Sequence, residues 1–240
     1  MRTTTRLAAI AWTLCAGLGA AGPLPAETIA VIGTGNVGMA LGTEFADQGH
    51  TIVYGSRNPE GLKASDLVTK TGRGATAALP RDAAELASII VLAVPGTVVG
   101  EVVSGLGRLD GKIVIDVTNP LTRSATLEFE LDTENSNAEL IQSLAPRARI
   151  VKAFNTIPWP QMIDPGRAGG PVSVPLAGDD AEAKRIVAEL VEGMGLEAID
   201  IGELKYARWT ELGAVIFLNN QLSNRPNFDL HLRKSQERRP

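Results

Sequence analysis

From Thr28 onward, short apolar runs alternate with stretches whose apolar residues recur at helical spacing. That alternation predicts a parallel α/β sheet. Ile29-Ala30-Val31-Ile32 forms a compact first strand, and a helix over about Asn36–Gln48 follows, stopped at Gly49. Thr51–Tyr54 gives a second strand, about 75–79 a third, Ile89–Ala93 a fourth, Lys112–Asp116 a fifth and Arg149–Ala153 a sixth. Pro80, Pro95 and Pro120 punctuate the connections. The polar, weakly periodic segment 121–139 is expected to be a long connection leading into a helix. After residue 155 a Pro/Gly-rich stretch precedes a strand near Val172–Leu176, a helix over Ala181–Gly193 and a strand over Glu197–Ile201. A last helix, Leu204–Leu222, carries Leu212, Val215, Ile216 and Leu222 in helical register.

Between the first strand and its helix lies Gly33-Thr34-Gly35-Asn36-Val37-Gly38, a GxGxxG. Gly33 permits a tight turn, Gly35 lets the backbone approach a pyrophosphate, and Gly38 allows close packing of helix on strand. The helix start supplies free N–H groups and a positive dipole end. GxGxxG alone is weak evidence; between a strand and a helix it points to a dinucleotide. The predicted fold is therefore α/β, a Rossmann-type doubly wound parallel sheet with a small C-terminal α/β extension. The nucleotide-binding domain is expected over 27–155, the extension completing an acceptor site over 156–225, and a polar tail over 226–240.

The end of the second strand selects the cofactor. NAD sites place an acid there for the ribose 2′-OH, but this strand ends Tyr54-Gly55-Ser56-Arg57-Asn58. A hydroxyl and an arginine fork suit a 2′-phosphate, which a carboxylate would repel. Lys63 can add charge, so NADP(H) is expected over NAD(H). The other reading of Arg57 is a solvated surface charge. The fourth and fifth strands end in Ala93-Val94-Pro95-Gly96 and Val117-Thr118-Asn119-Pro120. Both should flank the nicotinamide half, although the prolines also suit ordinary loops. Phe154-Asn155-Thr156-Ile157-Pro158-Trp159 offers an apolar surface with polar neighbours, suited either to a planar acceptor or to a packed loop.

Composition narrows the remaining classes. The formal charge is −4 and aromatics are 4%, which gives no case for nucleic acid. One cysteine, Cys15, and two histidines, His50 and His231, exclude an internal disulfide and a histidine-rich metal cluster. No nucleophile-base set stands out, so no catalytic or metal-ligating residue is assigned and the chemistry must come from a bound cofactor. Residues 1–26 differ from the rest. Arg2 and Arg6 precede an apolar run from Leu7 to Leu18, followed by small residues, Pro23, Pro25 and Ala26. This is the pattern of a secretory signal, too short and Ala/Gly-rich for a membrane span. Cleavage after Ala26 would take the charge from −4 to −6. The mature chain is then expected to be periplasmic or secreted without a membrane span; a misassigned start would leave it cytoplasmic.

The ordered set GTGNVG (33–38), GSRNP (55–59), LAVP (92–95), DVTNP (116–120) and VKAFNTIP (151–158) resembles the NADPH-dependent reductases of the deazaflavin coenzyme F420. The reductase domains of the six-transmembrane epithelial antigen metalloreductases are related to that family. The resemblance implies that Thr34, Gly35, Asn36 and Val37 hold the pyrophosphate and Ser56 and Arg57 the 2′-phosphate. It also implies that Pro95 and Asn119 lie near the nicotinamide and that Asn155, Ile157 and Pro158 border the acceptor. The implied reaction is hydride transfer between NADP(H) and a small-molecule acceptor, coenzyme F420 or a flavin (FMN or FAD), which needs alignment more than an acid or base. Two alternatives compete: a short hydroxyacid or imine dehydrogenase, and a non-catalytic NADP(H)-binding redox sensor. The first has only the 85 residues after 155 for its usual helical domain. Its only candidate donors on the last helix, Lys205, Tyr206 and Glu211, are expected on a solvated face. That helix either packs on its own domain or forms a homodimer.

Overall fold

The computed structural model describes residues 25–123, 129–131, 135–222 and 228–235. All but the last two residues of the expected export segment, and residues 226–227 and 236–240 of the polar tail, lie outside these residues. The backbone of an eight-stranded sheet accounts for nearly every apolar run. Its strands are β1 (Thr28–Ile32), β2 (Thr51–Gly55), β3 (Thr76–Ala78), β4 (Ile89–Leu92) and β5 (Ile113–Asp116). A short hairpin, β6 (Leu121–Arg123) and β7 (Phe129–Leu131), stands apart, and β8 (Arg149–Lys152), β9 (Ser173–Ala177) and β10 (Glu197–Gly202) complete the sheet. The order is β10-β9-β8-β5-β4-β1-β2-β3. From β3 to β8 this is the doubly wound dinucleotide order, with its switch point between β1 and β4.

Eight helices are described: α1 (Asn36–Asp47), α2 (Leu62–Thr71), α3 (Pro80–Leu86), α4 (Val99–Gly105), α5 (Asn137–Leu144), α6 (Trp159–Ile163), α7 (Ala181–Gly193) and α8 (Ala207–Leu222). Central strands are buried on both faces, which is why they read as unbroken apolar runs. On one face Ile29, Val31, Ile52 and Val91 pack with Leu41 and Phe45 of α1; on the other, Ile32, Ile90 and Val114 pack with Val103 and Ile141. Tyr54 is wholly buried, and its hydroxyl bonds Thr71 Oγ1 at 2.7 Å.

The sheet departs from an all-parallel one at a single seam. β9 runs antiparallel to β8 and meets it only at Lys152 and Ala177. A parallel strand would need a crossover back to the sheet's amino edge. The connection 153–172 instead stays at the carboxyl edge, contains only the five-residue α6 and a 3-10 turn over Pro165–Ala168, and packs on α1 through α6. β9 therefore starts beyond the end of β8 and, with β10 parallel beside it, raises a ledge above the carboxyl edge.

Candidate functional site

The carboxyl ends of β1, β2, β4, β5 and β8 enclose a crevice, and the chain is tightest where it turns at them. Gly33 has φ +121, and a Cβ there would overlap Ala93 O; its N–H bonds Gly55 O at 3.2 Å. A Cβ on Gly38 would overlap Gly33 O. Gly35 differs: a Cβ there would meet nothing within 4 Å. The helix it opens has no side-chain cap and no acid in its first turn. Gly35 and Asn36 are exposed, Thr34 and Val37 half-buried. The result is an open concavity facing uncapped N–H groups, which fits a pyrophosphate.

Beside it, at the end of β2, Ser56 is half-buried and Arg57 exposed. Ser56 Oγ accepts from Asn58 N at 3.2 Å, holding the turn. Lys63 is exposed in the first turn of α2. Neither Arg57 nor Lys63 forms an ion pair among the described residues. Two unpaired cations near a hydroxyl fit the charge of a 2′-phosphate.

Across the switch point three loops are laced together. Gly96 lies so close to Asn119 O that a side chain could not fit. Asn137, at the start of α5, donates to Gly96 O (3.1 Å) and to Thr118 Oγ1 (2.7 Å). Asn119 and Asn155 form a reciprocal clip, Asn155 Nδ2 to Asn119 Oδ1 at 2.9 Å and Asn119 Nδ2 to Asn155 O at 3.1 Å. Val94 is half-buried and Pro95 exposed at the mouth. Phe154 turns the chain after β8 with φ +62, rare for a residue with a side chain, and packs edge-on to Phe45 at 6.1 Å between ring centroids. That turn delivers Asn155 to Asn119. Asn155 Oδ1 and Thr156 Oγ1 are buried without partners. Ile157 belongs to the apolar core, so its side chain shapes the loop from below, while Pro158 is half-buried at its edge.

Beneath these loops is a charged cluster that sequence reasoning missed. Asp116 and Lys152 are the last residues of β5 and β8 and face one another in register. Lys152 is fully buried; its Nζ donates to Asp116 Oδ2 at 2.9 Å, to Glu211 Oε1 of α8 at 2.6 Å, and to Thr118 O. Asp116 also accepts from Thr118 N (2.9 Å) and Thr118 Oγ1 (2.8 Å). Lys152 thus uses all three ammonium donors, and Asp116 acts only as an acceptor, as a carboxylate does. Glu211 accepts from Asn137 N as well, at 3.0 Å. Burial pushes its carboxyl up to about 7, against the opposing pull of Lys152. The expectation that Glu211 lies on a solvated face is overturned: it is 2% exposed, on the same face of α8 as Ala207, Thr210 and Ala214. Lys205 and Tyr206 are exposed.

The 121–139 connection holds the β6–β7 hairpin, clamped by α8: Asn219 Oδ1 accepts from Phe129 N (2.6 Å) and its Nδ2 donates to Phe129 O (2.8 Å). Asn220 accepts from Phe228 N at 3.2 Å. Among the described residues no group of three or more His, Cys, Asp and Glu is placed to hold a metal ion. No helix among them is long and apolar enough to cross a membrane.

Comparison with known proteins follows the same outline. A family model described as "NADP oxidoreductase coenzyme F420-dependent" matches residues 28–120. The F420-dependent NADP reductase of Methanothermobacter thermautotrophicus is 32% identical over 215 residues, covering 82% of this chain and 90% of that protein. Metalloreductase STEAP3 of Rattus norvegicus is 33% identical over 190 residues, 79% of this chain, but the chain spans only 36% of its length. A crystal structure from Arthrobacter sp. FB24, provisionally described as an F420-dependent NADP reductase, superposes with a TM-score of 0.79 at 32% identity, covering 87% of this chain and all of that one. A reductive aminase from Aspergillus terreus, solved with NADPH, shares the fold at 21% identity and a TM-score of 0.60.

Proposed function

The chain belongs to the coenzyme F420-dependent NADP oxidoreductase family, and from that premise we propose that it passes a hydride between NADP(H) and a planar deazaflavin or flavin acceptor. It is an NADP-dependent oxidoreductase; the acceptor is the finer part of the proposal. The observation that carries it is the chemistry of the crevice wall. Val94, Pro95, Asn119, Asn155, Ile157 and Pro158 are uncharged, while the nearby Asp116, Lys152 and Glu211 are buried. A wall of this kind favours a reaction that needs alignment and exclusion of water over one that needs a proton donor at the reacting carbon.

When bound, NADPH supplies a hydride from nicotinamide C4, so that NADPH, a proton and the oxidised acceptor give NADP+ and the reduced acceptor. The residues of this chain supply position. In this reading the uncapped start of α1 and the open face of Gly35 hold the pyrophosphate, and Ser56, Arg57 and Lys63 hold the 2′-phosphate. The Asn119–Asn155 clip would hold the nicotinamide-side and acceptor-side loops at a fixed separation. The unpaired Asn155 Oδ1 and Thr156 Oγ1 offer hydrogen bonds to the polar edge of an acceptor ring.

The test is turnover. Purified protein with NADPH receives coenzyme F420, FMN, FAD or a panel of keto acids and imines in separate reactions, followed by loss of reduced-nicotinamide absorbance. Oxidation with F420 or a flavin is expected. Oxidation only with a keto acid or imine would replace this reading with a dehydrogenase.

A further inference from the structure

The Asp116–Lys152–Glu211 cluster has an odd number of charges. Two carboxylates share one ammonium, so the cluster carries one net negative charge when Glu211 is ionised and none when Glu211 is protonated. Its place is specific, because Asp116 and Lys152 end the two strands whose loops carry Asn119 and Asn155. Glu211 also borders an open cavity of roughly 500 Å³, shared with Ser136, Tyr206 and Trp209, through which its proton exchanges with solvent. The charged groups facing it are Lys152 from β8 and Asp116 from β5. From α5 it receives only the Asn137 N–H, and Arg208 on its own helix is held in a fork by Glu139. Lys205, which also borders the cavity, is paired with Glu203.

The nicotinamide ring is neutral in NADPH and cationic in NADP+, so a charge fixed under it discriminates between the two. We propose that Glu211, acting through Lys152 and Asp116, sets which oxidation state of the cofactor the crevice prefers, its ionised form favouring NADP+ and its neutral form NADPH. The inference rests on the reading that the nicotinamide half lies beyond the ends of β4, β5 and β8. Glu211 is here a positioning residue for charge and touches neither cofactor nor acceptor. The group titrates near neutrality because burial raises it, so the preference changes across the physiological range.

Linkage makes the effect reciprocal: if ionised Glu211 favours NADP+, then NADP+ favours ionised Glu211 and expels its proton. Two measurements follow. The ratio of the NADPH to the NADP+ dissociation constant should rise about three- to tenfold from pH 6 to pH 8, as expected for a unit charge acting across a few layers of side chains. The 2′-phosphate titrates in both forms and cancels in the ratio. Glu211→Gln keeps the acceptor oxygen for Lys152 and Asn137 but cannot ionise, so its ratio should be flat. Calorimetry of the unaltered protein near pH 7, in buffers of different ionisation enthalpy, should show greater proton release with NADP+ than with NADPH. That measurement needs no variant and stands if Glu211→Gln does not fold. A flat ratio with equal proton release in the unaltered protein, or a pH-dependent ratio persisting in Glu211→Gln, overturns the inference alone. Failure of the unaltered protein to bind either nucleotide overturns both the inference and the site it rests on.

Discussion

A methyl group added to Gly35 would touch no protein atom within 4 Å, whereas one added to Gly33 would collide with Ala93 O in a backbone conformation of φ +121. The two glycines of one motif therefore separate folding from binding. Gly33→Ala should destabilise the protein by about 3 kcal/mol or more, read by chemical denaturation. Gly35→Ala should shift the melting temperature by no more than about 2 °C yet weaken NADPH about tenfold or more, because it fills space a pyrophosphate needs. Arg57→Ala should weaken NADPH much more than NADH by titration; equal losses would remove the 2′-phosphate assignment. These residues were legible because their meaning is local: a glycine pattern at a strand end, a missing acid at the next. Lys152 was not. It closes a four-residue strand just as Asp116 does, and the matching opposite charges were a signal. Glu211, its other partner, lies 59 residues further on, where no pattern joins them.

At the scale of elements, α5 shows how a cap becomes a joint. Ser136 and Glu139 form a reciprocal capping box, and Arg208 of α8 grips the same glutamate at 2.6 and 2.7 Å. That grip holds the Glu139 carboxyl down to about 2. A carboxyl lowered in the fold adds stability that is present above its unfolded value of 4.5 and vanishes as pH falls towards 2. Glu139→Gln should accordingly cost about 1 kcal/mol at pH 7, with its denaturation curve converging on that of the unaltered protein near pH 2. Ser136→Ala should cost about 1 kcal/mol by losing the cap. The strands of the sheet were readable because burial on both faces leaves continuous apolar runs. The β6–β7 hairpin was not, because its strands are three residues each and Asn219 of a distant helix pairs with one of them. The ends of α8 were readable, but its buried face includes Thr210, Glu211 and Asn220 as well as Ala214 and Phe217. An apolar period cannot see a polar residue buried by its partners.

At the scale of the molecule, the doubly wound order and its C-terminal addition follow from the alternation of runs, but the antiparallel seam between β8 and β9 does not. Strand direction depends on where a connection re-enters the sheet, and the connection 153–172 carries no periodic signal of it. The compartment belongs to this scale too. Fused ahead of a phosphatase that is active only after export, residues 1–26 should yield periplasmic activity; a fusion that is made in full but stays inactive would return the segment to a misassigned start.

The seam itself has a consequence for descent. Because β9 touches β8 through one residue pair, the nucleotide half and the ledge above it share side-chain packing but almost no backbone ladder. Packing tolerates replacement of one side by another of similar shape, whereas a ladder demands register. A lineage can thus exchange the segment after β8 while inheriting the nucleotide half intact, and the family model's match to residues 28–120 stops short of Asn155, Ile157 and Pro158. Grafting 153–222 from a relative with a different acceptor onto residues 1–152 should move acceptor choice and leave the preference for NADPH in place.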